Sequence, residues 1–278
     1  MVTRRKFVYS LLAAGAAGAT YLSLNESSLL EVSEVSVSLP GTSCNEPVRM
    51  LHISDIHVDD WNEIDFIESA ILRGLSLKPD LIFLTGDFIT RRLELPESYR
   101  TVLCRLAVHA PTYACPGNHD GGLWIAPHGG YATSGEICAM LEESGITCLV
   151  NRAESVTVKK RSFTVVGLGD VEAGEFDPAA AFDRTATGPE TATVVLSHNP
   201  DTKEALAVYD WDLLLCGHTH GGQIRLPLIG PLLLPVKDRR YVDGLYRWRG
   251  RRLHISRGLG SLFGIRINCR PQISLITA

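Results

Sequence analysis

Five short stretches concentrate the side chains able to hold a metal ion: Asp55-Ile56-His57, Gly86-Asp87, Gly117-Asn118-His119-Asp120, Ser197-His198-Asn199 and Gly217-His218-Thr219-His220. Each follows an apolar run of strand-like composition. A lone Asp-x-His needs no ligand, because a loop aspartate beside a hydrogen-bonded histidine is an ordinary structural pair. Five such stretches in succession ask for another explanation. In α/β sheets, functional groups gather beyond the carboxyl ends of strands. If the five runs share a sheet, carboxylate, amide and imidazole groups meet at one edge, a mixture that stability alone does not call for. Imidazole with oxygen donors and no thiolate suits divalent Mn, Fe, Zn or Co better than a structural cysteine-built zinc site. The flanking glycines are expected to make sharp turns at positive φ, where a missing Cβ removes the penalty.

The elements that must carry these stretches alternate along the chain. Residues 48–53, 81–84, 112–115, 193–196 and 213–216 read as strands, and 64–77, 99–108 and 135–143 as helices by their apolar spacing. A short helix is expected at 202–207, and a hairpin pairs 156–158 with 163–168 around Lys159-Lys160-Arg161. From Gly222 onward the pattern turns to strands at 242–248, 252–256 and 273–277. The economical architecture is one α/β domain with two stacked sheets and helices outside.

In the order and content of its five motifs the chain resembles the calcineurin-like metallophosphoesterases, over residues 47–278. The resemblance implies a four-layer α/β/β/α sandwich holding two divalent metal ions, Mn foremost, with Zn, Fe or Co as the other choices. It implies that Asp55, His57 and His220 bind one ion, that Asn118, His198 and His218 bind the other, and that Asp87 bridges both. It also places His119 beside the leaving group as a proton donor, oriented by Asp120. Two divalent ions ~3.5–4 Å apart bring a shared water to hydroxide near neutral pH, which attacks phosphorus in line with the leaving oxygen. The ions neutralise charge growing on the equatorial oxygens.

Two later stretches, Gly221-Gly222-Gln223-Ile224-Arg225-Leu226-Pro227 and Ser256-Arg257-Gly258-Leu259-Gly260, resemble one branch of that superfamily. The branch holds exported or membrane-attached bacterial phosphodiesterases, including cell-wall phosphoesterases and UDP-2,3-diacylglucosamine pyrophosphatases. Pro271-Gln272-Ile273 departs from its usual Pro-Glu-Ile. Arg225 and Arg257, with His128 in the Gly/Pro loop after the Asn-His-Asp motif, are read as substrate contacts. The apolar, Pro-interrupted stretch 226–235 cannot be a helix or central strand, and as a loop it could touch acyl chains or a bilayer surface.

The N-terminus reads as a targeting segment. Thr3-Arg4-Arg5-Lys6-Phe7-Val8 opens an uncharged run to Leu24 and resembles a twin-arginine export signal, engaging the Tat translocase. As a helix that run would span about 27 Å, so retention as a membrane anchor is equally open. Residues 26–46 are expected to be a linker and 47–278 the catalytic domain. Seven cysteines with no C-x-x-C spacing exclude a disulfide scaffold but leave one bridge open. Three of the 27 Lys and Arg and none of the 31 Asp and Glu lie in the first 25 residues, so the remainder is more acidic than the net −4 of the whole. Such a body has no general electrostatic reason to bind nucleic acid, although the basic run from Arg239 to Arg270 could meet an anionic substrate or lipid. The expected activity is hydrolysis of a phosphodiester or pyrophosphate bond at the periplasmic or cell-wall side. The alternatives are a phosphomonoesterase or nucleotidase, and a non-catalytic wall- or membrane-binding protein.

Overall fold

The computed structural model describes residues 4–6, 9, 10, 15, 18, 26–41, 46–92, 97–183, 188, 190–232 and 234–278. Most of the expected export signal, and Cys44, lie outside the described residues. Among the described residues no helix is long and apolar enough to cross a membrane.

Two six-stranded mixed sheets stack face to face. The first has the order β1 (Glu31–Ser36), β14 (Gln272–Thr277), β2 (Arg49–Ile53), β3 (Leu81–Thr85), β4 (Thr112–Cys115), β5 (Thr147–Cys148). The second runs β12 (Gly244–Trp248), β13 (Arg251–Ile255), β9 (Leu213–Cys216), β8 (Thr191–Leu196), β7 (Arg161–Gly167), β6 (Arg152–Val158). Between β9 and β12, β10 (Arg225–Leu226) and β11 (Gly230–Pro231) form a separate antiparallel ribbon. Within each, the strands that lead to the motifs are parallel: β2, β3 and β4 in one, β8 and β9 in the other.

Alternation along these strands divides the core into layers, because successive side chains point to opposite faces. Met50, Leu81 and Phe83 face Val194, Leu196, Leu213 and Leu215 between the sheets. Their neighbours Leu51, Ile53, Ile82 and Leu84 turn outward against helices α1 (Ile64–Leu75), α2 (Glu97–His109) and α3 (Gly135–Glu143). On the far side Val195, Leu214 and Cys216 pack under the parallel Trp211 and Trp248 rings, whose centroids are 5.8 Å apart. That outer layer is thin. It consists of α4 (Pro178–Phe182) and two 3-10 turns, Pro200–Lys203 and Ala205–Val208, where one short helix was expected. Pro200 opens the first turn, and the Asp201 carboxylate accepts from the distant backbone N–H groups of Lys237 and Asp238. Tertiary pairing there outweighs helical continuation.

The stretch expected to be a linker contains a strand. β1 pairs in parallel with β14 from Glu31↔Gln272 to Ser36↔Thr277. Its two valines in EVSEVS are three residues apart and so point to opposite faces, Val32 towards the helix layer and Val35 towards the space between the sheets.

One polar pair interrupts the core between the sheets. His52 of β2 and His254 of β13 are both fully buried, with their Nδ1 atoms 3.0 Å apart, and His52 Nε2 lies 2.8 Å from the Thr85 hydroxyl. Burial lowers both rings, His254 to about 4 and His52 well below its usual value. The unfolded chain therefore takes up protons on acidification before the folded one does. Above about pH 6.5 the pair adds no pH dependence, and it lowers stability as pH falls towards 4. Each ring contributes a slope of up to about 1.4 kcal/mol per pH unit in that window. In urea unfolding between pH 7 and 5, His254→Gln should lose roughly one histidine's share of the slope. Equal slopes for the two proteins would refute this account.

Candidate metal centre

The five motifs arrive from both sheets rather than from one, as the sheet-edge expectation had assumed. Asp55, His57, Asp87 and Asn118 follow β2, β3 and β4, whereas His198, His218 and His220 follow β8 and β9. The site therefore sits where the carboxyl ends of the two stacked sheets meet.

The glycines work differently from expectation. Gly86 does have φ +78, and a Cβ there would lie 2.6 Å from the Gly117 nitrogen and 2.8 Å from His198 Nδ1. Gly117 and Gly217 are needed for close approach instead. A Cβ at the first would strike the Asp87 carboxylate, and one at the second would strike Ser54 and Asp55. The left-handed backbone falls on the ligands themselves: φ is 50° at Asp55, 49° at His57, 55° at Asp87, 68° at His218 and 48° at His220. Each such residue costs on the order of 1 kcal/mol, and strain of this kind collects at functional sites because neighbouring structure holds it in place.

All seven side chains converge. Asp55, His57, Asp87 and His220 bring ligand atoms within 4.8 Å of one another, all buried. His57 Nε2 is 3.1 Å from His220 Nε2 and 3.3 Å from Asp87 Oδ2, and His220 Nε2 is 3.4 Å from Asp55 Oδ1. Beside this group His198 Nε2 lies 3.1 Å from the same Asp87 Oδ2, and His218 Nδ1 lies 3.2 Å from His198 Nε2 and 3.0 Å from Asn118 Oδ1. One oxygen of Asp87 thus touches both halves. Backbone carbonyls fix the ring orientations: Thr85 accepts from His198 Nδ1 at 2.7 Å and Pro235 from His218 Nε2 at 2.9 Å, which turns the other nitrogen of each ring inward.

Cations fit this arrangement. Burial opposes charge on both aspartates and leaves the Asp55 carboxyl raised, while Asp87 is held well below the usual range by His198 and its other histidine neighbours. Against the pull of burial, Asp87 and Asp55 draw protons onto His198 and His57, raising both. His218, by contrast, is driven down to about 3 by burial and by His198. Lone pairs facing lone pairs around two buried carboxylates ask for positive charge, and divalent ions answer that demand without protons.

Over residues 48–222 the sequence matches the calcineurin-like phosphoesterase family. The chain belongs to that family. It is 38% identical to phosphodiesterase YaeI of Escherichia coli over 99% of both chains. It is 29% identical to UDP-2,3-diacylglucosamine pyrophosphatase LpxG of Chlamydia trachomatis over 90% of both. It is also 28% identical to the metallophosphoesterase YkuE of Bacillus subtilis, over 99% of this chain and 97% of that one. The protein is a metallophosphoesterase, a hydrolase of phosphoester bonds using divalent metal.

The phosphoesterase departs from its family-based expectation at Asp120. This carboxylate does not hold His119. It accepts from the backbone N–H groups of Asp87 and Gly117 at 2.8 Å each and of Phe88 at 2.7 Å, so it clamps the two ligand turns together. Burial, then the charge of Asp87, pushes it up to about 7. His119 is aimed by Thr90, whose carbonyl accepts from Nδ1 at 2.7 Å, and its ring leans on Trp124 with centroids 4.4 Å apart. Burial lowers His119 to about 4, so the free ring is neutral at pH 7, and an anionic phosphate beside it favours the protonated form.

The three expected substrate contacts lie outside the lining of the cleft. His128 is exposed in the 3-10 turn Ala126–His128, and Trp124 rather than His128 walls the cleft. Arg225 donates to the Gly221 carbonyl and pairs with Asp243. Arg257 pairs with Glu31 at 2.6 Å, and its stem covers Gly221. Both arginines brace the turn after His220.

Other residues of this enzyme were missed. Asn62 joins the His57 carbonyl to both the N–H and the carbonyl of Ser261. Arg266, fully buried, donates to the carbonyls of Arg257, Gly258, Gly260 and Cys269, while Gly260 donates to the Asp55 carbonyl. Neither has a local signal, since their partners are distant in sequence or are backbone atoms. Asp170 did have one: Gly169-Asp170 follows β7 as Gly86-Asp87 follows β3. Its carboxylate caps Glu172 and Ala173, and Glu172 approaches His218 Nε2 at 3.8 Å, its carboxyl raised to about 7 by burial and by Asp170.

Variants separate these roles. Asp87→Ala should reduce bound metal from about two ions per chain to less than one by elemental analysis. His119→Asn should keep the metal and lose about 10²–10⁴-fold in kcat. Asp120→Asn should behave like a ligand loss, lowering metal content together with rate. If it kept full metal and matched His119→Asn in rate alone, the clamp role would be wrong.

Proposed function

We propose that this enzyme cleaves a phosphodiester or diphosphate bond in an amphiphilic envelope substrate, on the periplasmic or cell-wall side, with Mn as its native metal. The observation that carries the reading is the cleft in which the metal centre opens. It measures about 1060 Å³, and its lining joins Asp87, His119, His218 and His220 to the apolar Trp124, Val171, Phe176, Val236, Leu262 and Phe263. Charged side chains, among them Glu172, Lys203 and Lys237, line it as well. Phe263 is 74% exposed, and Leu123 beside Trp124 is 76% exposed. A cleft that joins cation-seeking groups to exposed apolar side chains suits a phosphate joined to a hydrocarbon. The diacylated sugar nucleotide in the name of LpxG is a substrate of that kind, and the Tat-like opening of the chain supports an exported enzyme.

When bound, divalent ions supply a water of low pKa and neutralise the phosphoryl oxygens. The chain's own groups do the rest. Asp55, His57 and His220 would hold one ion and Asn118, His198 and His218 the other, with Asp87 between them. His119, aimed through Thr90, offers a proton to the leaving oxygen. Trp124 packs against that ring and sets its angle. The donor set, imidazole with carboxylate and amide oxygen, supports Mn and also accommodates Zn, Fe or Co.

Metal-stripped protein reloaded with each of these ions tests the reading on bis(p-nitrophenyl) phosphate, p-nitrophenyl phosphate, UDP-2,3-diacylglucosamine and its deacylated form. The diester and diphosphate should turn over faster than the monoester, with the highest rate in Mn. Acyl chains should lower KM by at least about tenfold, equivalent to ~1.4 kcal/mol. Phe263→Ser should erase that gain and leave the deacylated substrate unaffected. A preference for the monoester would mark a phosphomonoesterase, and inactivity with every metal from folded protein would remove the enzyme reading. For location, replacing Arg4 and Arg5 by Lys together should keep the protein in the cytoplasm on fractionation; unchanged export would exclude the Tat route.

A further inference from the structure

Outside the set of candidate metal ligands, two cysteines meet at the edge of the first sheet. Cys138 sits on α3 and Cys148 on β5, and their sulfurs are 2.6 Å apart. That is well inside the contact distance of unbonded sulfurs and close to the ~2.05 Å of a disulfide. The backbone is already drawn together there. Ile146 N–H donates to the Leu141 carbonyl at 3.0 Å, and Cys148 N–H donates to the Glu142 carboxylate at 3.0 Å. Cys148 is buried, while Cys138 is partly exposed and open to a reagent. Neither sulfur has a role in the metal centre.

The geometry points to a disulfide site: Cys138 and Cys148 are oxidised to a bond by a small-molecule or protein disulfide. The Cys138 thiolate attacks one sulfur of the oxidant, whose other sulfur leaves as a thiol. Cys148 then attacks the Cys138 sulfur and expels the second thiol. Two protein thiols lose two electrons and two protons, and the oxidant is reduced to two thiols. The bond joins α3 to the strand that closes the sheet edge. Because α3 directly follows the loop carrying Asn118, His119 and Trp124, the bond anchors the far end of that loop. Formation after export into an oxidising compartment fits such a bond and rests on the location proposed above.

The test uses the full folded chain, with metal bound, incubated in oxidised glutathione, alkylated and cleaved after glutamate. Glu142 and Glu143 lie between the two cysteines, so cleavage there puts them in separate peptides. The expected result is a linked pair of peptides that separates on reduction. The thermal midpoint should rise by roughly 5–10 °C on oxidation, reversibly in dithiothreitol. Cys138→Ser should abolish both effects while retaining activity. Should Cys148→Ala fold poorly, the peptide link in the unmodified protein still decides. Separate alkylation of both cysteines after oxidation, a link from either to another cysteine, or an unchanged midpoint would overturn the assignment.

Discussion

The organising constraint is a pair of buried carboxylates, Asp55 and Asp87, that share one space with four imidazoles. Among the described residues neither aspartate forms an ion pair with a lysine or arginine, although the buried Arg266 guanidinium feels the charge of Asp55. Their charge is balanced by histidine protons in the bare chain and by divalent ions in the loaded one. A buried charge left without a partner is expensive, so the fold must deliver the ligands together or not at all. This explains why five ligand positions hold left-handed backbone, and why Gly117 and Gly217 carry no side chain where another ligand's carboxylate must pass. Asp120, Asn62 and Arg266 then hold the strained turns by their own N–H and carbonyl groups.

The layered fold supplies the rest of the constraint. Parallel strands end at the same edge, so β2, β3 and β4 present their loops side by side, and stacking brings those of β8 and β9 opposite them. Strands buried on both faces read as continuous apolar runs, and each run stops where ligand residues begin. The His52–His254 contact crosses the same gap between sheets, and His52 also reaches Thr85, whose carbonyl aims His198.

Legibility followed the range of the interactions. The side chains that converge on the candidate site were readable because each motif is local: an apolar run, a turn, then a donor. Strands β3, β4 and β9 were readable for the same reason. β1 was not, because its pattern of Glu and Ser resembles a solvated tail and only β14, more than two hundred residues away, turns it into a strand. Asp120 was read as a partner of its sequence neighbour His119, whereas its true partners are backbone N–H groups on two different turns. Arg266 looked like one more basic residue in a basic stretch; nothing nearby announces that four carbonyls surround it.

The same distinction separates what family likeness transfers from what it does not. Metal ligands are tied to strand ends, and strand ends are fixed by the core, so chains of the same family place them alike. Arg225 and Arg257 show the opposite case. A basic residue near a phosphate site invites the reading of an anion clamp, yet both guanidiniums here are matched to carboxylates, Asp243 and Glu31. Their charge is spent on holding the turn after His220. With those arginines engaged, phosphate recognition in the proposed reaction would fall to the metal ions and His119, and discrimination among substrates to the walls of the cleft. Trp124, Val171 and Phe263 of those walls lie in segments outside the strands.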